Sequence, residues 1–422
     1  MASLMKPSAR FAFVAACLLG ACSISPGSDG EPGIDPDQPE LPVPPTQPPG
    51  EQPPRSVTVT LDGLQPGWLV TTSRLVDHDM PGEQTIASDG SPITLTGTDT
   101  DVFVATITDA AGALIEARAM KSPCKLAAAR QLHVPRDYST IQAAVDAAAP
   151  GDTVRVAAGT YTESIVLRAG VCLLGSGAKD TILDARGESR TLVDLTTAPG
   201  SVVAGFTIRD VGPGTVCSGD DPFGCSGNWY TAGIYLGNNG VFRWDSPTVY
   251  APPIIANNRF ESNDIGVMLY FHGIAVVRNN VFDGNRNGFI ANHYQDRTLL
   301  ANNVFVGNTD LAIGNQAAYL DIIDNVIMSS PLGIHFEYIQ TGHIACNVFF
   351  GNGANANEPR FVIGRDGNVE GDPLFAGTGD YHLQPGSPAR NAGCHKGKVV
   401  EPDGTLPDIG AYGGPLAAWS AL

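Results

Sequence analysis

Tyr270, His272, His293, Tyr294, His335 and Glu337 fall in three short runs, YFHG, NHYQD and HFEY. An imidazole can act as a base near neutral pH, a tyrosine hydroxyl can return a proton, and a carboxyl can serve as acid or nucleophile. These are groups that cleave polysaccharides. Asn292, Asn315 and Gln316 beside them offer amides to sugar hydroxyls, and aromatic rings accept the apolar face of a pyranose. Two further segments, GPGTVCSGDDPFGCSGNWYT and VFRWDSPTVYAPP, add Trp229, Tyr230, Trp244 and Tyr250 as stacking candidates. The competing readings are a solvated sheet face for the runs and self-packing of long loops for the aromatics. Glycoside hydrolysis needs two carboxyls at a set separation. Glu337 is one, with Asp220, Asp221, Asp245 or Asp296 as partners.

What positions these residues is a repeat. Asn258, Asn280, Asn303, Asn325 and Asn347 are separated by 22, 23, 22 and 22 residues. Ile255, Val277, Leu300, Ile322 and Ile344 stand three positions before them, and Phe260, Phe282, Phe305, Ile327 and Phe349 two after. Asn263, Asn285, Asn308, Ser330 and Asn352 form a third column, and Gly266, Gly288, Leu311, Gly333 and Asn355 a fourth. Twelve positions after the asparagines come Tyr270, Asn292, Asn315 and Glu337. The period leaves room for short strands and none for a helix, so each repeat is one coil of a parallel β-helix. The asparagines are then a structural ladder: they tolerate left-handed turns and hydrogen-bond from coil to coil. This places Tyr270, Asn292 and Glu337 on one exposed line.

Before the coils, residues 22–55 are almost wholly proline, glycine and acid, a disordered tether. Residues 56–120 alternate as short strands and read as a small β-sandwich-like domain. Ser139 and Gln142 form an S-x-x-Q capping box ahead of an alanine-rich helix that Pro150-Gly151 ends. The fold class is therefore all-β: a parallel β-helix over 134–390 with one short N-terminal capping helix, and a C-terminal cap or tail over 391–422.

A formal charge of −18 argues against nucleic acid as a partner. It disfavours a polyanionic glycan unless calcium bridges the charges, as it would for a polyuronate. Residues 1–21 carry Lys6 and Arg10 and then the apolar run Phe11–Leu19, a secretory signal too short to span a membrane. Six cysteines follow Cys22, an even number suited to disulfides in an exported chain. Cys217 and Cys225 flank SGDDPFG and are the expected pair. No cysteine or histidine spacing suits a structural metal.

Three stretches carry family resemblances. LGAC resembles the lipobox of bacterial lipoproteins, which implies lipidation of Cys22, and Ser23 leans towards the outer membrane. VPRDYSTIQAAVDAAAPGDTVRVAAGTYTESIVLRAGVCLLGSG resembles the opening of right-handed parallel β-helix proteins of the pectin-lyase-like superfamily. GDPLFAGTGDYHLQPGSPARNAG with PDIGAYGG resembles the C-terminal region of bacterial choice-of-anchor surface β-helix proteins. That superfamily includes lyases, hydrolases, esterases, epimerases and adhesins. The NTD, DD, GHG and RIK set of polygalacturonases and the DPHE of alginate epimerases are not present here. The leading expectation is a cell-surface lipoprotein whose β-helix binds extracellular polysaccharide and which is held to the outer membrane by lipid. A polysaccharide lyase or glycoside hydrolase, and an adhesin-like rod without a glycan site, are the alternatives.

Overall fold

An amide repeated in every coil needs a neighbour at its own height, and the computed structural model shows that neighbour. The structure describes residues 56–61, 64–75, 84–98, 102–108, 114–121, 125–126, 130–214, 231–237, 252–270, 273–338, 343–358, 363–394 and 405–414. At 293–297, 317 and 338, and over most strands before residue 130, it describes the backbone alone. The expected signal, Cys22, the tether, and Cys217 and Cys225 lie outside the described residues.

The coils stack their strands in three parallel sheets. Sheet A holds nine strands, from Gly159–Tyr161 to Val369–Glu370. Sheet B runs from Ile165–Val166 through Ile234–Leu236 and Ile265–Tyr270 to Leu332–Tyr338 and Ala354–Ala356. Sheet C runs from Gln131–Val134 through Cys172–Gly175 and Ile254–Ala256 to Ile344–Ala345. Two long strands, Asn287–Ala301 and Leu311–Ile323, belong to both B and C. The whole is a right-handed parallel β-helix of about nine turns.

Inside, like stacks on like. Phe260, Phe282 and Phe305 lie nearly parallel, with centroids 4.7 and 4.5 Å apart. Ile255, Val277, Leu300 and Ile322 are fully buried in the same core. Gly266 and Gly288 occur where a Cβ would stand 2.6 Å from the carbonyl oxygen of the next coil, so only glycine lets the coils close.

The ladder sits at the tight turn between sheets C and A. Left-handed residues Asn257, Asn279, Asn302, Asp324 and Cys346 reverse the chain there, and the fully buried asparagine that follows each one joins it to the next coil. Asn280 N donates to Asn303 Oδ1 at 3.0 Å and Asn303 N to Asn325 Oδ1 at 2.9 Å, while Asn303 Nδ2 donates to Val277 O and Asn325 Oδ1. Asn263, Asn285 and Asn308 repeat the arrangement at the turn between sheets A and B.

Two details differ from the sequence reading. Helix α1 spans Ile141–Ala147, and its N-cap is Thr140, whose side chain accepts from Ala143 N. The Glu163 carboxylate of the next coil takes the first two helical N–H groups, Ile141 N and Gln142 N, so the Ser139–Gln142 box is not used. The glycine column continues through Ala312, not Leu311: Thr309 N and Asp310 N pair with Asn285 and Arg286, and Leu311 pairs with Asn287. One extra residue after Asn308 displaces the rest of that coil.

Among the described residues, chain segments lie over two of the three outer faces. On sheet A, Val281, Val304, Val326 and Val348 are buried with Tyr381, Ala389, Ile409 and Ala411 from the C-terminal region. That region runs along the side of the solenoid. Asn279 Nδ2 donates to Ala411 O and Gly413 O, Asn302 Nδ2 to Asp408 O, and Asp324 Oδ1 accepts from Cys394 N. A Cys346–Cys394 disulfide fixes it. At its far end Tyr381 donates to Asp283, and Arg259 lies 5.6 Å from the Tyr381 ring centre. On sheet C, Cys172, Leu174, Val202, Ala204 and Ile254 form a buried outward cluster, and strand Leu114–Lys121 runs beside Cys172–Gly175 and Val202–Ala204. That strand is the edge of a four-stranded sheet. A three-stranded sheet built on Ser56–Leu61 accompanies it.

Replacing Asn303 with alanine strands buried backbone and amide partners on both neighbouring coils, and costs about 2–4 kcal/mol in urea unfolding; a loss below about 0.5 kcal/mol would show the ladder to be dispensable. Cys394→Ser removes the closure of a 48-residue separation and lowers stability by about 4 kcal/mol on the loop-entropy model. Protease cleavage between 375 and 414 then precedes cleavage of the coils.

Candidate functional site

The outer face of sheet B is the long face that neither covering segment takes. Its central column, set by pairing, is Tyr235, Met268, Ile290, Gly314 and His335. Met268 and Ile290 are fully buried in a cluster with Ile265 and Leu311, against which Tyr235 and Tyr270 pack half-buried. His335 is half-buried and Glu337 exposed. Residues 215–230 connect at one edge of this face, between Gly214 and Thr231. At the other edge 238–251, 271–272 and 339–342 connect after Gly237, Tyr270 and Tyr338. Both register shifts of the long pair Asn287–Ala301 and Leu311–Ile323 fall at that second edge, between Asn292 and Thr298.

The expected exposed line is only partly formed. Pairing aligns Tyr270, Asn292, Gln316 and Tyr338. Asn315 is one residue off, because the extra turn residue displaces its coil, and it lies in the inward column of Leu269, Ala291 and Phe336. There it is fully buried, and its amide closes a local turn with Ala318 N and O. Asn292 is also fully buried, and Gln316 is 6% exposed. Asn315 thus serves a turn, and Asn292 and Gln316 are buried where an exposed line was expected. Glu337 sits where the pairing skips from Phe336 to Tyr338, a bulge that turns its side chain to solvent. Tyr270 and Glu337 thus remain at this edge, with the half-buried His335 beside them in the central column. His272, Trp229, Tyr230, Trp244 and Tyr250 lie outside the described residues, as do the side chains of His293 and Tyr294.

A second feature was not legible as a site. Along the turn between sheets A and B, the left-handed residues Arg186, Asp210, Ser262 and Gly284 form the floor of an open groove of about 640 Å³. Its walls carry Asp184, Asp264 and Arg286. Arg286 Nε lies 2.5 Å from Asp264 Oδ1, and Arg209 Nη2 lies 2.9 Å from Asp184 Oδ2. Burial works against the Asp184 charge, but hydrogen bonds from Arg209 and from Arg186 N outweigh it and hold the carboxyl below its usual range. The sequence signal was the residue one or two places after each of these sheet A strands, where the backbone is left-handed.

A family model described as "Periplasmic copper-binding protein (NosD)" matches residues 176–360. Among the described residues, the one group of histidine, cysteine or carboxylate side chains close enough to hold a metal is Asp324, Cys346 and Cys394. Its sulfurs are bonded to each other and Asp324 Oδ1 is taken by Cys394 N, so the described residues do not fit a copper centre. No curated protein sequence matches. Among solved structures, an α-1,3-glucanase catalytic unit from Streptomyces thermodiastaticus is similar at 15% identity over 72% of this chain and 60% of that one, with a TM-score of 0.37. An alginate lyase is similar at 14% identity over 54% and 40%, TM-score 0.33, and pectin methylesterase from Erwinia chrysanthemi at 10% over 54% and 80%, TM-score 0.27. The chain spans 60% and 40% of the length of the first two.

Replacing Arg209 with alanine removes the strongest group holding the Asp184 carboxyl down, so its titration moves upward, as carbon-detected NMR would read. In the native protein its depressed value contributes stability above the unfolded pKa, and this is lost as pH falls through the folded one. An unchanged Asp184 titration in the variant would show that Arg209 does not hold it.

Proposed function

We propose that the protein is a lipid-anchored envelope protein whose β-helix binds extracellular polysaccharide on the outer face of sheet B. One observation carries this reading: sheets A and C are covered by the chain's own segments, while the chain's insertions connect at the two edges of sheet B. Long segments rooted at one rung of a solenoid are typical walls of a binding surface. Tyr270 offers a ring face to a pyranose, and His335 and Glu337 offer polar groups to its hydroxyls. The lipobox-like LGAC and the periplasmic description of the matching family support an envelope location.

The partner carboxylates that hydrolysis with Glu337 would use, Asp220, Asp221, Asp245 or Asp296, lie outside the described side chains. Among the described side chains, Asp194 is another carboxylate on this face, in the column that continues through Tyr235 to His335. Five coil spacings separate it from His335, roughly 24 Å at 4.8 Å per coil. Glycosidases place their two carboxyls about 5–9.5 Å apart.

On a glycan array and by calorimetry, the protein should retain a polysaccharide without releasing products. Tyr270→Ala weakens retention at least about tenfold, and Glu337→Gln weakens it less. Retention of no glycan, or product release that Glu337→Gln abolishes, would contradict the reading.

A further inference from the structure

We propose that the groove between sheets A and B is a separate subsite for a neutral, hydroxyl-rich glycan segment lying parallel to the solenoid axis. This rests on the polysaccharide-binding reading and names the sugar class and a second place of contact. The groove is open to solvent, with a volume of about 640 Å³, and its chemistry is mixed in sign. Three carboxylates, Asp184, Asp210 and Asp264, face two guanidiniums, Arg186 and Arg286. Such a lining has almost no net field to capture a polyanion, and the chain's charge of −18 opposes one further. Alternating acceptors and donors do suit vicinal hydroxyls, each of which both gives and receives a hydrogen bond.

The geometry is also one-dimensional. The floor residues Arg186, Asp210, Ser262 and Gly284 come from successive coils, so the groove offers a polar contact at each coil spacing of about 4.8 Å. That spacing is close to the length one pyranose adds to an extended chain. Asp184 and Asp264 are paired with Arg209 and Arg286, whereas Arg186 is exposed and Asp210 is half-exposed, 3.4 Å from Arg209 Nε. The groove also adjoins the rung at which residues 215–230 connect, since Gly212 and Pro213 line it. It therefore extends the edge of the sheet B face.

The test uses the full chain with hexamers of β-1,4-glucose, α-1,3-glucose and β-1,4-mannose, and with a hexuronate of matching length. Arg186→Gly and Asp210→Gly remove the floor side chains at positive φ, where glycine fits without strain; circular dichroism checks the fold. The expected result is binding of at least one neutral hexamer, no binding of the hexuronate, and a tenfold or greater loss in the double variant. Tyr270→Ala serves as the comparator for the sheet B face. Wild-type binding that the double glycine variant leaves unchanged overturns the groove and spares the wider reading. Preference for the hexuronate overturns the neutral class. No binding by wild type, on these hexamers and on intact polysaccharides, overturns both.

Discussion

Everything in this fold depends on a side-chain amide in one coil reaching the backbone of the next. A tight two-residue turn buries N–H and C=O groups that no strand partner can take, and each is costly if left unpaired. Asn258, Asn280, Asn303, Asn325 and Asn347 meet that demand by accepting from the preceding coil and donating to its carbonyl. Because the same bonds pair coil with coil, they also fix register. Register then decides which side chains stack in the core and which face outward.

That dependence explains what was readable in the sequence and what was not. The columns of asparagine, aliphatic and phenylalanine residues repeat types that have one stable arrangement, so the β-helix followed from them directly. Positions far from the ladder were less secure. Thr309-Asp310 adds one residue to a turn, a change too small to disturb the columns before it, yet it moves Asn315 from the outward line into the core. The bulge at Glu337 adds a residue to its strand, so that Tyr338 and not Glu337 stands opposite Gln316. Neither event has a compositional mark. The helix cap illustrates the same limit, because Glu163 reaches Thr140's helix from 22 residues away in sequence.

The outer surface is shaped by what the chain lays over it. The C-terminal segment follows the left-handed turn residues from Asp324 and Cys346 back to Asn279, and its apolar side chains close over the valines of sheet A. The stretch PDIGAYGG is therefore an adhesive strip for the solenoid, not an end cap. Strand Leu114–Lys121 runs beside sheet C. On sheet B the outward Met268 and Ile290 are buried as well, and the polar surface residues, the bulge and the insertion roots lie along its edges. The groove residues escaped notice because Asp184, Arg186, Asp210, Asp264 and Arg286 do not form a column at one period. Turn geometry alone gathers them.

The central claim is that the ladder displays sheet B as the ligand face. Hydrogen exchange with and without a bound polysaccharide tests it most directly. The account predicts added protection in Asp264–Tyr270, Asn287–Asn292 and Leu332–Tyr338, with sheet A and the C-terminal strip unchanged. Protection confined to residues 375–414, or spread evenly over all three sheets, would contradict it.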